Sequence, residues 1–276
     1  MRAGLVQMTG SDDPEGNLGP LLTAVEAAVA QGADLVLTPE VTNCVSASRA
    51  RQQRVLTPES TDPTLTALRA VAARSGVHVL IGSLALRTDD PDGRFANRSL
   101  LIDPAGDVIA RYDKIHMFDV AISETETYRE SDGYRPGDRA VTVETPLGVL
   151  GLTICYDLRF PALYRRLAQA GAEILTVPSA FSPVTGAAHW EPLLRARAIE
   201  TGAFVIAPAQ TGEHPAAEGR ARRTHGHSMV VSPWGTVLLE MGTMPGVAVV
   251  DLNLDDVADA RRKLPGLEHD RRILGP

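Results

Sequence analysis

The sequence predicts an α/β protein with mixed sheets, on three observations. One-faced helical periods alternate with short apolar runs, those runs carry no polar face, and Pro/Gly turn signatures of hairpin type separate some of them. Leu18, Leu21, Leu22, Val25, Ala28 and Val29 recur at helical spacing after Asp12-Asp13-Pro14, and Gly32 marks the stop. Pro63 opens a second helix, with Leu65, Leu68, Val71 and Ala72 on one side and Gly76 at its end. Pro161 opens a third, carrying Leu163, Leu167 and Ala170 before Gly171. A fourth runs from about Trp190 to Thr201, before Gly202.

Between the helices lie apolar runs of strand length at 35–37, 77–81, 149–154, 174–177, 204–207 and 229–231. Runs without a polar face are strands covered on both sides, which places the sheets between other layers. Pro104-Ala105-Gly106-Asp107, Pro146-Leu147-Gly148 and Pro233-Trp234-Gly235 are hairpin signals, so antiparallel pairs are expected beside parallel ones. Two stretches, 115–140 and 210–226, have neither period and read as long loops.

Composition limits the function classes. A length of 276 residues without a linker-like segment predicts a single domain over 1–276. The net charge of −7 repels a phosphate backbone, and Arg220, Arg222 and Arg223 read as a solvated loop, so nucleic acid is excluded as a partner. No apolar run approaches the roughly 18 residues a membrane span needs. Cys44 and Cys155 form no CxxC, and the N-terminus has no secretory pattern; both thiols are expected reduced, in a cytoplasmic protein.

Three residues stand where chemistry is usually placed in such sheets, at the C-terminal ends of strands: Glu40 after 35–37, Lys114 after the run 108–113, and Cys155 after 149–154. Cys155 also precedes the helix opened by Pro161, which makes it a strand-to-helix elbow whose backbone N–H groups can bind an oxyanion. Singly, such a cysteine is more often a small buried hydrophobe and such charges are more often solvated. Together, a thiol, a carboxylate and an ammonium suggest one site for nucleophilic catalysis.

The motifs carrying these residues resemble those of the nitrilase superfamily of carbon-nitrogen hydrolases: Thr38-Pro39-Glu40, Tyr112-Asp113-Lys114-Ile115-His116-Met117-Phe118-Asp119, and Gly151 through Cys155-Tyr156-Asp157-Leu158-Arg159-Phe160-Pro161. The likeness continues through Ser179-Ala180-Phe181, Thr185-Gly186, His189-Trp190-Glu191 and Gly226-His227-Ser228 to Trp234-Gly235, and is nearest to the Nit branch. It implies a four-layer α-β-β-α sandwich with mixed sheets, a homodimer or larger homo-oligomer, and Glu130 as a second active-site glutamate. It departs at Thr42-Asn43-Cys44, where relatives often carry an aromatic, and at 120–127, which lacks a common Pro-Gly pattern.

The activity implied is hydrolysis of a small, carboxylate-bearing amide through a thioester on Cys155, releasing ammonia and a carboxylic acid, with no cofactor. In that scheme Glu40 moves the protons, while Lys114 and the Tyr156 backbone N–H hold the oxyanion. Arg159 either grips a substrate carboxylate or pairs with an acid such as Asp157. Phe181 and Thr185 complete the substrate pocket. His225 and His227 have a metal-like spacing without a third ligand, and no metal is expected. The competing readings are a thiol paired with His116 or His189, and a scaffold that keeps the fold without turnover. Among deaminated glutathione, α-keto-ω-amides, N-carbamoyl compounds and nitriles the sequence does not choose.

Overall fold

In the computed structural model, which describes residues 1–122, 127–272 and 274–275, the chain begins with β1 (Arg2–Gln7), α1 (Pro14–Ala30), β2 (Leu35–Leu37), α2 (Arg49–Val55) and α3 (Pro63–Ser75). A meander of β3 (His78–Leu86), β4 (Ala96–Ile102) and β5 (Val108–Asp113) follows, then a hairpin of β6 (Asp119–Ala121) with β7 (Thr127–Arg129). Next come β8 (Val141–Thr145), β9 (Gly148–Leu152), α4 (Pro161–Gln169), β10 (Ile174–Thr176), α5 (Pro183–Thr201) and β11 (Phe204–Ala207). A second hairpin, β12 (Thr211–His214) with β13 (Arg222–His225), leads to β14 (Met229–Val231), β15 (Val237–Glu240), β16 (Gly246–Asp251) and α6 (Asp255–Lys263).

Two six-stranded sheets result, ordered β16-β1-β2-β3-β4-β5 and β15-β14-β11-β10-β9-β8. In each, parallel strands at the centre are flanked by antiparallel ones. The period of two along the strands decides the layering. Leu35, Leu37, Leu80 and Leu101 face a core shared with Leu150, Leu152, Ile174 and Leu175 of the other sheet. Their neighbours Val36, Val79, Ile81, Leu100 and Ile102 face the opposite way, onto Leu21, Val25, Leu65 and Leu68 of α1 and α3. The helices α4 and α5 cover the outside of the second sheet through Leu163, Leu167, Trp190 and Leu194, which completes the four layers. Each such leucine, removed from water, contributes about 1.5–3 kcal/mol.

The second helix starts and stops where the sequence put it, at Pro63 and before Gly76, and the structure adds an N-cap. Asp62 accepts from the Leu65 N–H and Pro63 fills the first position of α3, which ends at Gly76 with φ of 68°. The fourth helix differs: α5 begins at Pro183, well before Trp190, because Ser182-Pro183 starts the helix while Pro192 inside it disguises the period. The stretches 115–140 and 210–226 are not structureless, for each folds a short hairpin. Polar strands of three or four residues carry no readable alternation. Of the loop 120–127, residues 123–126 lie outside the described residues.

Strand direction brings the chemistry to one edge. β5 is antiparallel to β4, and β4 to β3, so β5 runs with β2 and β3. Glu40 and Lys114 therefore leave the first sheet at the same edge, where Asn97 enters β4, and Cys155 leaves the second sheet after β9.

Candidate active site

The loop after β2 is fixed before Glu40 is placed. Thr38 Oγ1 meets Thr42 Oγ1 at 2.8 Å and accepts from the Gly82 N–H, and the Val41 N–H donates to Ser83 Oγ at 2.7 Å. Gly82 is required there, since a Cβ would lie 2.0 Å from the Thr38 carbonyl oxygen and 2.4 Å from Pro178 Cβ. Val41 has φ of 46° and Cys155 φ of 50°, so the residue after the carboxylate and the thiol itself both occupy left-handed backbone that non-glycine residues rarely hold. Such strain, typically about 1–3 kcal/mol each, persists where the surroundings enforce it and clusters at functional sites.

Cys155 opens a 3-10 turn, Cys155–Arg159, anchored by Asp157. This fully buried carboxylate accepts from the Ile154 N–H (2.9 Å), Tyr112 Oη (2.7 Å) and the His116 N–H (3.0 Å), and also bonds His116 Nδ1 (2.7 Å). One aspartate thus ties the thiol turn to the segment that follows Lys114. Arg197 closes the far end, donating to the Leu158 carbonyl at 2.9 Å.

Glu40, Lys114 and Cys155 are all buried and line one cleft of about 920 Å³. Lys114 Nζ lies 2.9 Å from Glu40 Oε1 and 2.9 Å from both carboxylate oxygens of Glu130. Glu130 Oε2 also accepts from the Phe118 N–H at 2.6 Å. Glu40 Oε2 accepts from the Ala180 N–H at 2.8 Å, Oε1 accepts from Asn97 Nδ2 at 2.9 Å, and the Cys155 thiol is a further hydrogen-bond partner of the carboxylate.

The charges follow from these contacts. Burial alone would raise the Glu40 carboxyl, but the Lys114 and Arg222 charges and the hydrogen bonds from Lys114 and Cys155 hold it lowered to about 2. Burial would lower Lys114; Glu130, Glu40 and Cys155 together raise it well above the ordinary lysine value. Burial and then the Glu40 charge push the Cys155 thiol up, against Lys114. At rest the cleft therefore holds a neutral thiol beside an ionised carboxylate.

The remaining sequence-predicted residues separate. Tyr156, Phe181 and Thr185 line the cleft, and Thr185 Oγ1 is buried with no hydrogen-bond partner among the described residues. Arg159 is not among the lining residues: its guanidinium packs 5.4 Å from the Phe181 ring centre and 6.0 Å from that of Tyr156, with His189 Nδ1 at 3.3 Å. Asp157 is not its partner, being filled by Tyr112, His116 and Ile154. Neither His116, stacked on Phe160 at 3.5 Å, nor His189 lines the cleft. His225 and His227 stack at 4.4 Å, and His227 bonds Glu240. Cys44 and Cys155 are free thiols, and Cys44 lines the same cleft with its thiol pushed up to about 12, by burial first and then by the Asp12 charge.

Two features of the site escaped the sequence reading. Asn97 donates to both Glu40 and, at 3.4 Å, Glu130, and its buried Oδ1 has no partner among the described residues. Nothing in an Asn-Arg-Ser triplet signals this. The second correction concerns the arginine cluster: Arg220, Arg222 and Arg223 line the cleft, because the β12–β13 hairpin folds back over it and the Phe181 carbonyl accepts from the His225 N–H. A signal existed in the three arginines themselves, but the hairpin that aims them has no readable period.

Comparison with known proteins agrees with this geometry. The family model described as Carbon-nitrogen hydrolase matches residues 2–262. A deaminated glutathione amidase of Yersinia enterocolitica is 39% identical over 271 residues, covering 98% of this chain and 92% of that protein, and the Homo sapiens protein of that name is 38% identical, covering 97% and 81%. Among solved structures, the Caenorhabditis elegans NitFhit protein superposes with a TM-score of 0.89 at 35% identity over 98% of this chain, which spans 65% of that longer one. An amidase of Nesterenkonia sp., described with acrylamide added at its active-site cysteine, superposes at 0.77 with 29% identity, covering 96% of this chain and 98% of that one. Among the described residues no helix is long and apolar enough to cross a membrane. The chain is a hydrolase of C–N bonds that works through a buried cysteine, and it belongs to the carbon-nitrogen hydrolase family, in the Nit branch of the nitrilase superfamily.

Proposed function

We propose that this amidase hydrolyses a small carboxylate-bearing amide of the deaminated-glutathione type, with Cys155 as nucleophile, Glu40 as proton carrier and Lys114 as oxyanion donor. The observation that carries the assignment is the contact of thiol, carboxylate and ammonium in one buried cleft, with the thiol on a left-handed turn. Cys155 Sγ attacks the amide carbonyl while its proton passes to Glu40, and the oxyanion is held by Lys114 Nζ and the Tyr156 N–H, the second N–H of the 3-10 turn, the first being taken by the Pro178 carbonyl. Because the thiol is raised and Glu40 lowered, transfer before attack is steeply uphill; the proton moves as the S–C bond forms.

Glu40 next gives that proton to the departing nitrogen, the C–N bond breaks, and a thioester remains on Cys155. Water then attacks the thioester, losing a proton to Glu40. The C–S bond breaks, the sulfur recovers the proton, and a carboxylic acid leaves. Glu130 grips Lys114 through both oxygens and keeps it charged. Phe181 and the Thr185 hydroxyl form the substrate wall, and Arg159, outside the cleft, backs the Phe181 ring. We place the reaction in the cytoplasm, in a homodimer or larger homo-oligomer. Ile199 and Trp234, large apolar groups more than half exposed, are surface such pairing would cover.

The pH profile separates this reading from a Cys–His enzyme. A carboxylate held at about 2 is an active base above that value, so kcat/KM for a simple ω-amide stays level as pH falls from 7 to about 4.5. A histidine base loses activity with a midpoint of about 6–7. An acid limb in that interval, abolished in His116→Ala or His189→Ala, overturns the assignment of Glu40.

A further inference from the structure

We propose that Arg98 and Asp113, which do not line the active-site cleft, are positioning residues that hold Asn97 and Lys114 against Glu40 by clamping the last rung between β4 and β5. The inference rests on the assignment of Lys114 as oxyanion donor and goes beyond it by naming what fixes that ammonium in place. Side chains alternate along a strand, so neighbours in the chain look to opposite faces of the sheet. Asn97 and Lys114 are each 2% exposed and line the cleft. Arg98 and Asp113, next to them in the chain, lie on the other face, where Arg98 borders a second cavity of about 660 Å³.

Arg98 stands directly opposite Asp113 in the ladder. Its guanidinium grips that carboxylate at two points, Nε to Oδ1 at 2.6 Å and Nη2 to Oδ2 at 2.9 Å, while Nη1 donates to Glu59 Oε2 at 2.8 Å. Arg111 Nε holds Glu59 in turn, at 2.7 Å. A two-point contact between arginine and carboxylate fixes an orientation as well as a distance. One residue further on, the Lys114 N–H donates to the Asn97 carbonyl at 2.9 Å, and the two side chains converge on Glu40 Oε1, each at 2.9 Å.

The backbone ladder does not fix this end by itself. β5 stops at Asp113, so Lys114 lies just past the strand, and the pairing of β3 with β4 is irregular between Ile81 and Leu84. Asn97 has too short a side chain to follow a shift of its strand, so its contact with Glu40 depends on where β4 lies. The clamp on the far face therefore sets the spacing of β4 and β5 beside the reacting atoms. A displacement of about 1 Å there can cost on the order of a hundredfold in rate.

The test measures kcat, KM and melting temperature with a simple ω-amide for wild type, Asp113→Asn, Arg98→Met, their double variant and Glu59→Gln. The expected result is that kcat falls about tenfold or more in each of the first two, with KM changed less than about threefold, and that the double variant is no slower than the worse single one, because the pair acts as a unit. The charged and titratable groups facing Glu40 are Lys114, Arg222, Cys155 and Tyr134, with Glu130 across Lys114. A displaced Lys114 lets the Glu40 carboxyl rise from about 2, so an acid limb of kcat/KM enters the interval from pH 7 to about 4.5 in both single variants. Glu59→Gln also breaks a partly buried ion pair, and it lowers the melting temperature while keeping kcat and the level profile. Arg98→Lys keeps the charge without the fork and gives an intermediate loss, a result available even where Asp113→Asn does not fold. Wild-type kcat and pH profile in Asp113→Asn or Arg98→Lys, losses in kcat that add in the double variant, or a Glu59→Gln as slow as Asp113→Asn overturn the clamp while the assignment of Lys114 stands. Normal turnover by Lys114→Met overturns that assignment instead.

Discussion

Cys155→Ala abolishes amide hydrolysis, with a loss in kcat on the order of 10⁴ or more, because no other nucleophile among the described residues touches Glu40 and Lys114 to take the acyl chain. Cys44 lines the cleft but cannot substitute. Its thiol is raised to about 12, and neither Glu40 nor Lys114 is among its hydrogen-bond partners or the main causes of that shift. The fold should be kept, since the side chain removed is small and the turn around it is held by Asp157 and Arg197. Steady-state product release checks the loss, and a melting curve close to wild type shows that it is chemical.

The largest combined effect on activity and stability is expected for Lys114→Met. Truncating one partner of a buried ion pair leaves its counter-charge without compensation, which costs about 3–5 kcal/mol. Here two carboxylates are stranded, Glu40 and Glu130, both held within 2.9 Å of Nζ in the wild type. Loss of the oxyanion donor lowers kcat by about 10²–10³ in addition.

The sign of the pH dependence follows. Glu40 is depressed to about 2 in the folded protein against about 4.3 unfolded, so its contribution to stability is complete above about 4.3 and is lost as pH falls toward 2. The variant lacks the main depressing cation, so its stability deficit against wild type is largest at neutral pH and narrows on acidification, as the stranded carboxylates protonate. Chemical denaturation at pH 7 and pH 5 measures this; a deficit that widens in acid contradicts the charge balance described.

Legibility in the sequence followed the physics of each element. Leu35, Val36 and Leu37 are buried on both faces of a central strand, so a continuous apolar run announced them. The helix boundaries at Pro63 and Gly76 were readable because such start and stop signals act within a few residues. Glu40, Lys114 and Cys155 could be listed as strand-end residues, but that they meet depends on β5 running with β2 and on two sheets stacking face to face, which no local period encodes.

What stayed hidden was set by long-range contacts. Asn97 contributes through one amide group reaching carboxylates at positions 40 and 130, and the same triplet on another strand would do nothing. Arg222 sits on a four-residue strand with alternating exposure and no apolar face, so its cluster resembled a solvated loop until the hairpin was placed over the cleft. Asp157 lay inside the resemblance and still gave no sign that it fastens Tyr112, His116 and the thiol turn together.

The central claim is that sulfur, carboxylate and ammonium act on one carbonyl through a covalent intermediate on Cys155. Mass spectrometry of the protein quenched during turnover of a carboxylate-bearing amide measures this directly. The account predicts a mass increase equal to the acyl group, located on the peptide containing Cys155 and absent in Cys155→Ala. An adduct on Cys44, or steady turnover by Cys155→Ala with no adduct at all, contradicts it.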